Sequence, residues 1–254
     1  AVCPFSKNAP AAGRQNAPAI KSGHSFLKGR LSGRMNVRRN QFDGHLRELA
    51  KAIIEMGERV EQTIARSVEA LQEGNVELAR RVIDEDRGIN AMEDKIGETG
   101  VMLIATQQPV AKDLRRILIA FKIAGDLERM GDLAADVAKA ALRIGQDGLI
   151  KPLADIPRMA GLVRQMTKES ILAFTQENID LACKLARLDD EVDHLHSRNL
   201  QELFMLGAGN ADRIGKAMLL AFVSRYLERI ADHATNIGES VVYLIKGKRP
   251  DLNQ

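Results

Sequence analysis

One hexapeptide is written twice in this chain of 254 residues: Leu127-Glu128-Arg129-Met130-Gly131-Asp132 returns one hundred positions later as Leu227-Glu228-Arg229-Ile230-Ala231-Asp232. A second pair, Asn75-Val76-Glu77-Leu78-Ala79 and Asn178-Ile179-Asp180-Leu181-Ala182, recurs at an offset of 103. Two nearly equal offsets mean that a whole structural unit is present in duplicate, with a small insertion or deletion between the copies. Whatever fold one half adopts, the other must adopt as well.

The apolar spacing says what that unit is. From Asp43, read as an N-cap, to Glu73, the residues Leu46, Leu49, Ile53, Met56, Val60, Ile64, Val68 and Leu71 fall on one helical stripe. Gly74-Asn75 ends this helix. A second runs from Val76 to about Thr106 and stops before Pro109, and a third from Val110 to about Ile144, closed by Gly145 and Gly148. Lys151-Pro152 and Ile156-Pro157 mark a connector, and the pattern restarts over about Ala154–Gln176, Asn178–Leu206 and a last helix that follows Gly207-Ala208-Gly209-Asn210 and ends near Lys246-Gly247. Long helices joined by short turns pack antiparallel. The expected fold is all-α: two tandem three-helix bundle repeats, with a basic extension over residues 1–35, one repeat over 36–148 and the other over 149–254. Along the sixth helix Ala217, Ala221, Ser224, Ala231, Ala234 and Gly238 mark an inner face where helix axes approach closely.

Composition narrows the function. Aromatic residues make up 4% and Trp is absent, so there is no stacking platform for nucleic acid. Six of the 37 basic residues (Lys7, Arg14, Lys21, Lys28, Arg30 and Arg34) precede residue 35 with no acid among them, leaving 31 basic against 34 acidic in the body. A nucleic-acid binder needs its basic patch on the folded domain, so none is expected as a partner. The first 34 residues read as disordered, either a basic leader or tail, or sequence translated upstream of a start at Met35. No stretch reaches the roughly 18 apolar residues of a membrane span. Cys3 and Cys183 stand far apart without a CxxC, which implies neither a zinc ribbon nor a disulfide framework and favours a reducing compartment.

The duplicated helices carry like charges where charge is costly. Glu128, Asp132 and Asp136 follow at steps of four, as do Glu228, Asp232 and Asn236. Such pairs share a helix face and repel by roughly 0.2–0.5 kcal/mol each. Arg129, Lys139, Arg225 and Arg229 stand at spacings that offset part of this, but Glu128 has no base three or four positions away. A solvated face laced by intrahelical pairs is one reading. The other rests on the small residues beside the acids (Gly131, Ala134, Ala135, Ala231, Ala234), which suggest a face crowded against a neighbouring helix. The second helix of each unit offers facing acids: Asp84, Glu85, Asp86 and Asn90, then Asp189, Asp190, Glu191 and Asp193. Carboxylates converging from two helices bind divalent cations, which remove the repulsion. Glu191 and His194 form a lone ExxH, whereas ferritin-like carboxylate-bridged metalloenzymes need two. His194, His196 and His233 are read as lying on solvated faces. No phosphate-binding glycine loop or nucleophile elbow is present.

These two repeats, over about residues 36 to 248, resemble the PhoU family of accessory regulators of bacterial phosphate-specific transport. The resemblance rests on Asp113-Leu114-Arg115-Arg116-Ile117 leading into Lys122-Ile123-Ala124-Gly125-Asp126-Leu127-Glu128-Arg129-Met130-Gly131-Asp132, and on the weaker copy Tyr226-Leu227-Glu228-Arg229-Ile230-Ala231-Asp232. It implies a negative regulator of the phosphate-starvation response and modulator of phosphate uptake that acts by protein contact and catalyses nothing. The partners it implies are the ATPase subunit of the phosphate ABC importer and a phosphate-sensing histidine kinase. It also implies a homodimer, cytoplasmic and peripheral to the inner membrane through those partners. Multinuclear iron or zinc is implied on E(D)xxxD motifs: Glu128 with Asp132, Asp132 with Asp136, Glu228 with Asp232, and Asp189 with Asp193. Asp86 with Asn90 and Asp232 with Asn236 depart from the motif, an amide being the weaker cation ligand. The competing function is a carboxylate-bridged metal-binding protein or metalloenzyme of ferritin-like type.

Overall fold

The computed structural model describes residues 28–145, 154–208 and 211–248, with side chains from residue 40 onward except at 211 and 212. Six helices follow one another: α1 (Lys28–Glu73), α2 (Val76–Gln107), α3 (Lys112–Ile144), α4 (Asp155–Thr175), α5 (Ile179–Gly207) and α6 (Ala211–Lys246). Among the described residues there is no strand.

Three boundaries differ from the sequence reading. α1 starts at Lys28 and passes through Met35 and Asp43 unbroken, so Asp43 is not its N-cap. No proline interrupts residues 28–43, and once the docked part of a helix is nucleated, each added residue costs little. The expectation for residues 1–27 lies outside the described residues. α3 starts at Lys112 because Ala111, just before it, holds a positive φ of 48°. Pro157 lies in the first turn of α4, not in a connector; a first-turn N–H has no intrahelical acceptor, so proline loses nothing there. Cys183 is disulfide-bonded. The sequence, with no CxxC, did not suggest this.

The two copies of the Asn turn are built alike. Asn75 caps α2 by accepting a hydrogen bond from Leu78 N–H at 3.0 Å, and Asn178 caps α5 by accepting from Asp180 and Leu181 N–H at 3.0 and 3.3 Å. In both turns the Asn N–H donates back over the preceding helix end at 2.9 Å, to Ala70 O and to Ala173 O. The residue before each Asn is left-handed, Gly74 at φ 63° and Glu177 at φ 46°. Only the first is a glycine. Glu177 is held instead by Lys112 (2.9 Å) and Arg116 (3.1 Å), which reach it from the start of α3.

Each half is a triangle of helices, α1–α2–α3 and α4–α5–α6, and the halves join through α3 on α6 and α1 on α4. Both junctions run antiparallel. Asp126 meets His233 and Arg115 meets the Leu244 carbonyl along α3–α6, while Glu61 meets Arg164 along α1–α4. Two like units joined antiparallel through like faces are related by a pseudo-twofold axis across the helices. The α2–α3 turn and the α5–α6 turn therefore lie at opposite ends of the molecule. One continuous core, with Met56, Ile64, Ile123, Met130, Met166, Leu227 and Ile237 fully buried, runs through both halves.

Core packing shows how the copies diverged without changing shape. Gly100 on α2 is buried, and a Cβ there would stand 2.1 Å from Phe121 of α3. The equivalent positions in the second half carry Leu203 and Ala221, so the bulk has moved from one helix to the other. Gly100→Leu alone overpacks this contact and should cost about 1–3 kcal/mol. Phe121→Ala alone leaves a void and should cost about 2–4 kcal/mol. The double variant should lose clearly less than the sum of the two in urea unfolding; simple additivity would show that the positions do not compensate.

Candidate functional site

The repeated acids sit on the strip of α3 and α6 that faces α2 and α5. In the first half Asp86 of α2 meets Asp132 and Asp136 of α3. Its pKa is raised, first by burial and then by the charge of Asp132, against a lowering influence from Lys139. Glu128 is raised by burial first and then by Asp132, with Glu93 of α2 adding to it. In the second half Asp189 of α5, only 7% exposed, is pushed up to about 7 by burial and then by Asp232, Asp193, Asp190 and Glu228. Glu228 is raised by burial and Asp232, and Asp232 by burial and Asp193. Each half thus gathers acids from two helices at a partly dry surface where like charges suppress ionisation.

The small residues explain why the acids come so close. A Cβ on Gly131 would stand 2.9 Å from Ile89 and 3.6 Å from Asp86 Oδ1, so α2 lies against α3 at this level. On α6, a Cβ on Gly238 would stand 2.9 Å from Leu185 Cδ1 and 3.2 Å from the Ala182 carbonyl oxygen of α5. Ala231 and Ala234 are fully buried.

The structure keeps some sequence candidates together and separates others. Glu85 turns away to Arg66 of α1, and Glu191 turns to Arg158 of α4 at 2.6 Å. His194 is exposed, so the lone ExxH joins no cluster. Asn90 is exposed and Asn236 half-buried. Two histidines do not lie on solvated faces as expected. His196 is half-buried, bonded through Nδ1 to Ser224 Oγ at 2.8 Å, with its pKa lowered by burial. His233 reaches across the junction to Asp126 at 3.1 Å. Glu128 does have a base, the adjacent Arg129 at 3.3 Å, which neighbour spacing on a helix did not suggest. Glu93 was missed altogether, although it lies seven residues after Asp86 and so on the same face.

The donor chemistry suits a hard or borderline divalent cation. Asp86 Oδ1, Asp189 Oδ1 and Glu228 Oε2 are buried oxygens without a hydrogen-bond partner, which a cation would satisfy. The side chains are not closed around one point, however: among the described residues no three Asp, Glu, His or Cys groups form a metal-holding set. Bases lie over the carboxylates instead, with Arg129 on Asp132 at 3.1 Å, Lys139 on Asp136 at 2.7 Å and Arg225 on Glu228. Binding requires these bases to swing out and the carboxylates to turn inward.

The fold and these faces define an all-α protein in which one acidic three-helix unit is used twice. The PhoU domain family model matches residues 53–141 and again 156–241, and the chain belongs to the PhoU family. It is 38% identical over 216 residues to the phosphate-specific transport system accessory protein PhoU homolog of Clostridium acetobutylicum, covering 85% of this chain and 99% of that one. The Aquifex aeolicus homolog is 39% identical over 203 residues, covering 80% and 92%. The crystal structure of PhoU from Pseudomonas aeruginosa superposes with a TM-score of 0.78 at 34% identity, over 82% of this chain and 100% of that one.

Asp189 supplies a test of the electrostatics. Its folded pKa lies above its unfolded value near 4, so the folded chain holds this proton more tightly. Stability from this group is intact below about pH 4, declines as pH rises towards about 7, and the penalty is complete above that. Asp189→Asn should therefore raise the unfolding free energy of metal-free protein by up to about 4 kcal/mol at pH 8, and by almost nothing at pH 4. A gain independent of pH in urea titrations would show that the acid cluster does not create the penalty.

Proposed function

We propose that the protein is a negative regulator of the phosphate-starvation response and a modulator of phosphate uptake, acting by contact between the phosphate importer's ATPase and a phosphate-sensing histidine kinase. The observation that carries this reading is the match of both repeats, over nearly the full length of relatives named as accessory proteins of phosphate-specific transport. Among the described residues no helix is long and apolar enough to cross a membrane, which fits attachment to an inner-membrane system through partners. An accessory protein works by occupying surfaces, and this one has two similar acidic faces on a rigid helical body. It needs no reaction of its own.

The acidic faces are the proposed sites for iron or zinc: Asp86, Glu128, Asp132 and Asp136 with Asn90 in one half, and Asp189, Asp193, Glu228 and Asp232 with Asn236 in the other. A bound cation would neutralise the buried carboxylates and rigidify the α2–α3 and α5–α6 pairs, so that metal occupancy tunes the surfaces offered to partners.

Deleting the gene should derepress phosphate-starvation reporters in phosphate-replete medium; unchanged reporter expression and phosphate uptake would remove the reading. The metal component is tested separately with the Glu128→Ala/Asp132→Ala/Glu228→Ala/Asp232→Ala variant. Elemental analysis of wild-type protein should find iron or zinc that this variant loses while its helical circular dichroism is kept. Equal metal content in both would place the cation elsewhere.

A further inference from the structure

The acidic face of the second half continues into an apolar groove. Along α5, Asp189 and Asp193 are followed on the same stripe by Leu200, Phe204 and Gly207. Along α6, Ile214, Met218 and Ala221 precede Arg225, Glu228 and Asp232 on the facing stripe. Between them lies a groove of about 480 Å3, lined by Leu200, Leu203, Phe204, Ile214, Ala217 and Met218 among others, all apolar. Its rim is open to solvent: Phe204 is 77% exposed and Met218 54%. In the first half, Phe121 lies over Gly100 at the corresponding place; Ala221 leaves it open here.

We propose that this α5–α6 groove seats an amphipathic helix of another protein, with large apolar residues on the turns over Phe204 and Met218 and Lys or Arg on the turns over Asp193 and Asp232. Charge complementarity selects this occupant over a purely apolar one. The apolar end is contiguous with the exposed Asp193 of α5 and the half-buried Asp232 of α6, while Arg225 is already taken up by Glu228. Phe204 and Asp189 are separated along α5 by about 22 Å, so a helix of about 18 residues spans both parts. The inference rests on the contact-mediated regulation proposed above and names the surface through which a contact is made.

The test is fluorescence anisotropy with the full chain, EDTA present so that no cation competes. The probe is a labelled helical peptide of about 18 residues carrying Leu and Phe on one end of a face and Lys on the other. Phe204→Glu/Met218→Glu changes exposed positions and should keep the fold by circular dichroism, yet weaken binding by at least about tenfold. Asp193→Asn should weaken it less, and exchanging the peptide's Lys for Glu should weaken it by about tenfold or more. Equal affinity for the charge-exchanged peptide, or unchanged affinity in the Phe204→Glu/Met218→Glu variant, overturns the proposal. So does a variant that instead abolishes self-association in sedimentation, or binding to phosphatidylglycerol vesicles, while keeping peptide affinity. In cells lacking the gene, the same variant should fail to restore repression. Full restoration overturns the groove assignment and leaves the regulatory reading standing, whereas a deletion without effect removes that reading and leaves the peptide result to judge the groove.

Discussion

α3 and α6 are each in contact with three other helices, and this enclosure governs everything else about the molecule. A helix surrounded on three sides has one narrow strip left for polar side chains, and the strip borders apolar packing along its whole length. Carboxylates placed there are half out of water whatever their sequence neighbours. Burial accordingly stands first among the causes that raise Glu128, Glu228 and Asp232 on the strip, and also Asp86 and Asp189, which face it from α2 and α5. The unpartnered oxygens of Asp86, Asp189 and Glu228 lie on this same partly dry strip, against which Ile89 and Leu185 pack.

Duplication supplies an internal control on what the fold requires. The Asn caps, the back-donating turn and the Glu-x-x-x-Asp pair survive in both copies, and these are the parts that fix helix ends and the acidic strip. Other positions trade. The first half places its amide on α2 at Asn90 and an acid on α3 at Asp136; the second places the acid on α5 at Asp193 and the amide on α6 at Asn236. At these five repeat-equivalent positions each half therefore has four carboxylates and one amide, with the amide on the opposite helix. The exchange of Gly100 and Phe121 for Leu203 and Ala221 has the same character, conserving volume rather than residues.

The fold was legible because two offsets, repeated caps and an uninterrupted 3.6-residue period all constrain the same unit. The start of α1 was not, since Asp43 looks like a cap, yet nothing in residues 28–43 breaks the helix that propagates from its packed part. In the site, spacing identified Glu128 with Asp132 and Asp189 with Asp193, because one helix face is a local property. It misassigned Glu85 and Glu191, which lie within a residue or two of the strip acids but turn to Arg66 and Arg158 on other helices. It also missed His196 with Ser224 and Asp126 with His233. Those pairs depend on how α5, α6 and α3 are juxtaposed, which no spacing along a single helix records.

The left-handed Glu177 has a consequence for how the halves depend on each other. A non-glycine residue in that conformation costs roughly 1 kcal/mol, and its offsetting charges, Lys112 and Arg116, belong to the other repeat. Burial raises its carboxyl, but those two cations outweigh burial and hold it below the usual range. The first repeat has Gly74 at the matching turn, which adopts this conformation without such help. The second repeat thus completes its own turn only against a folded first repeat, and that builds a direction into the cooperativity of a molecule whose halves otherwise look interchangeable.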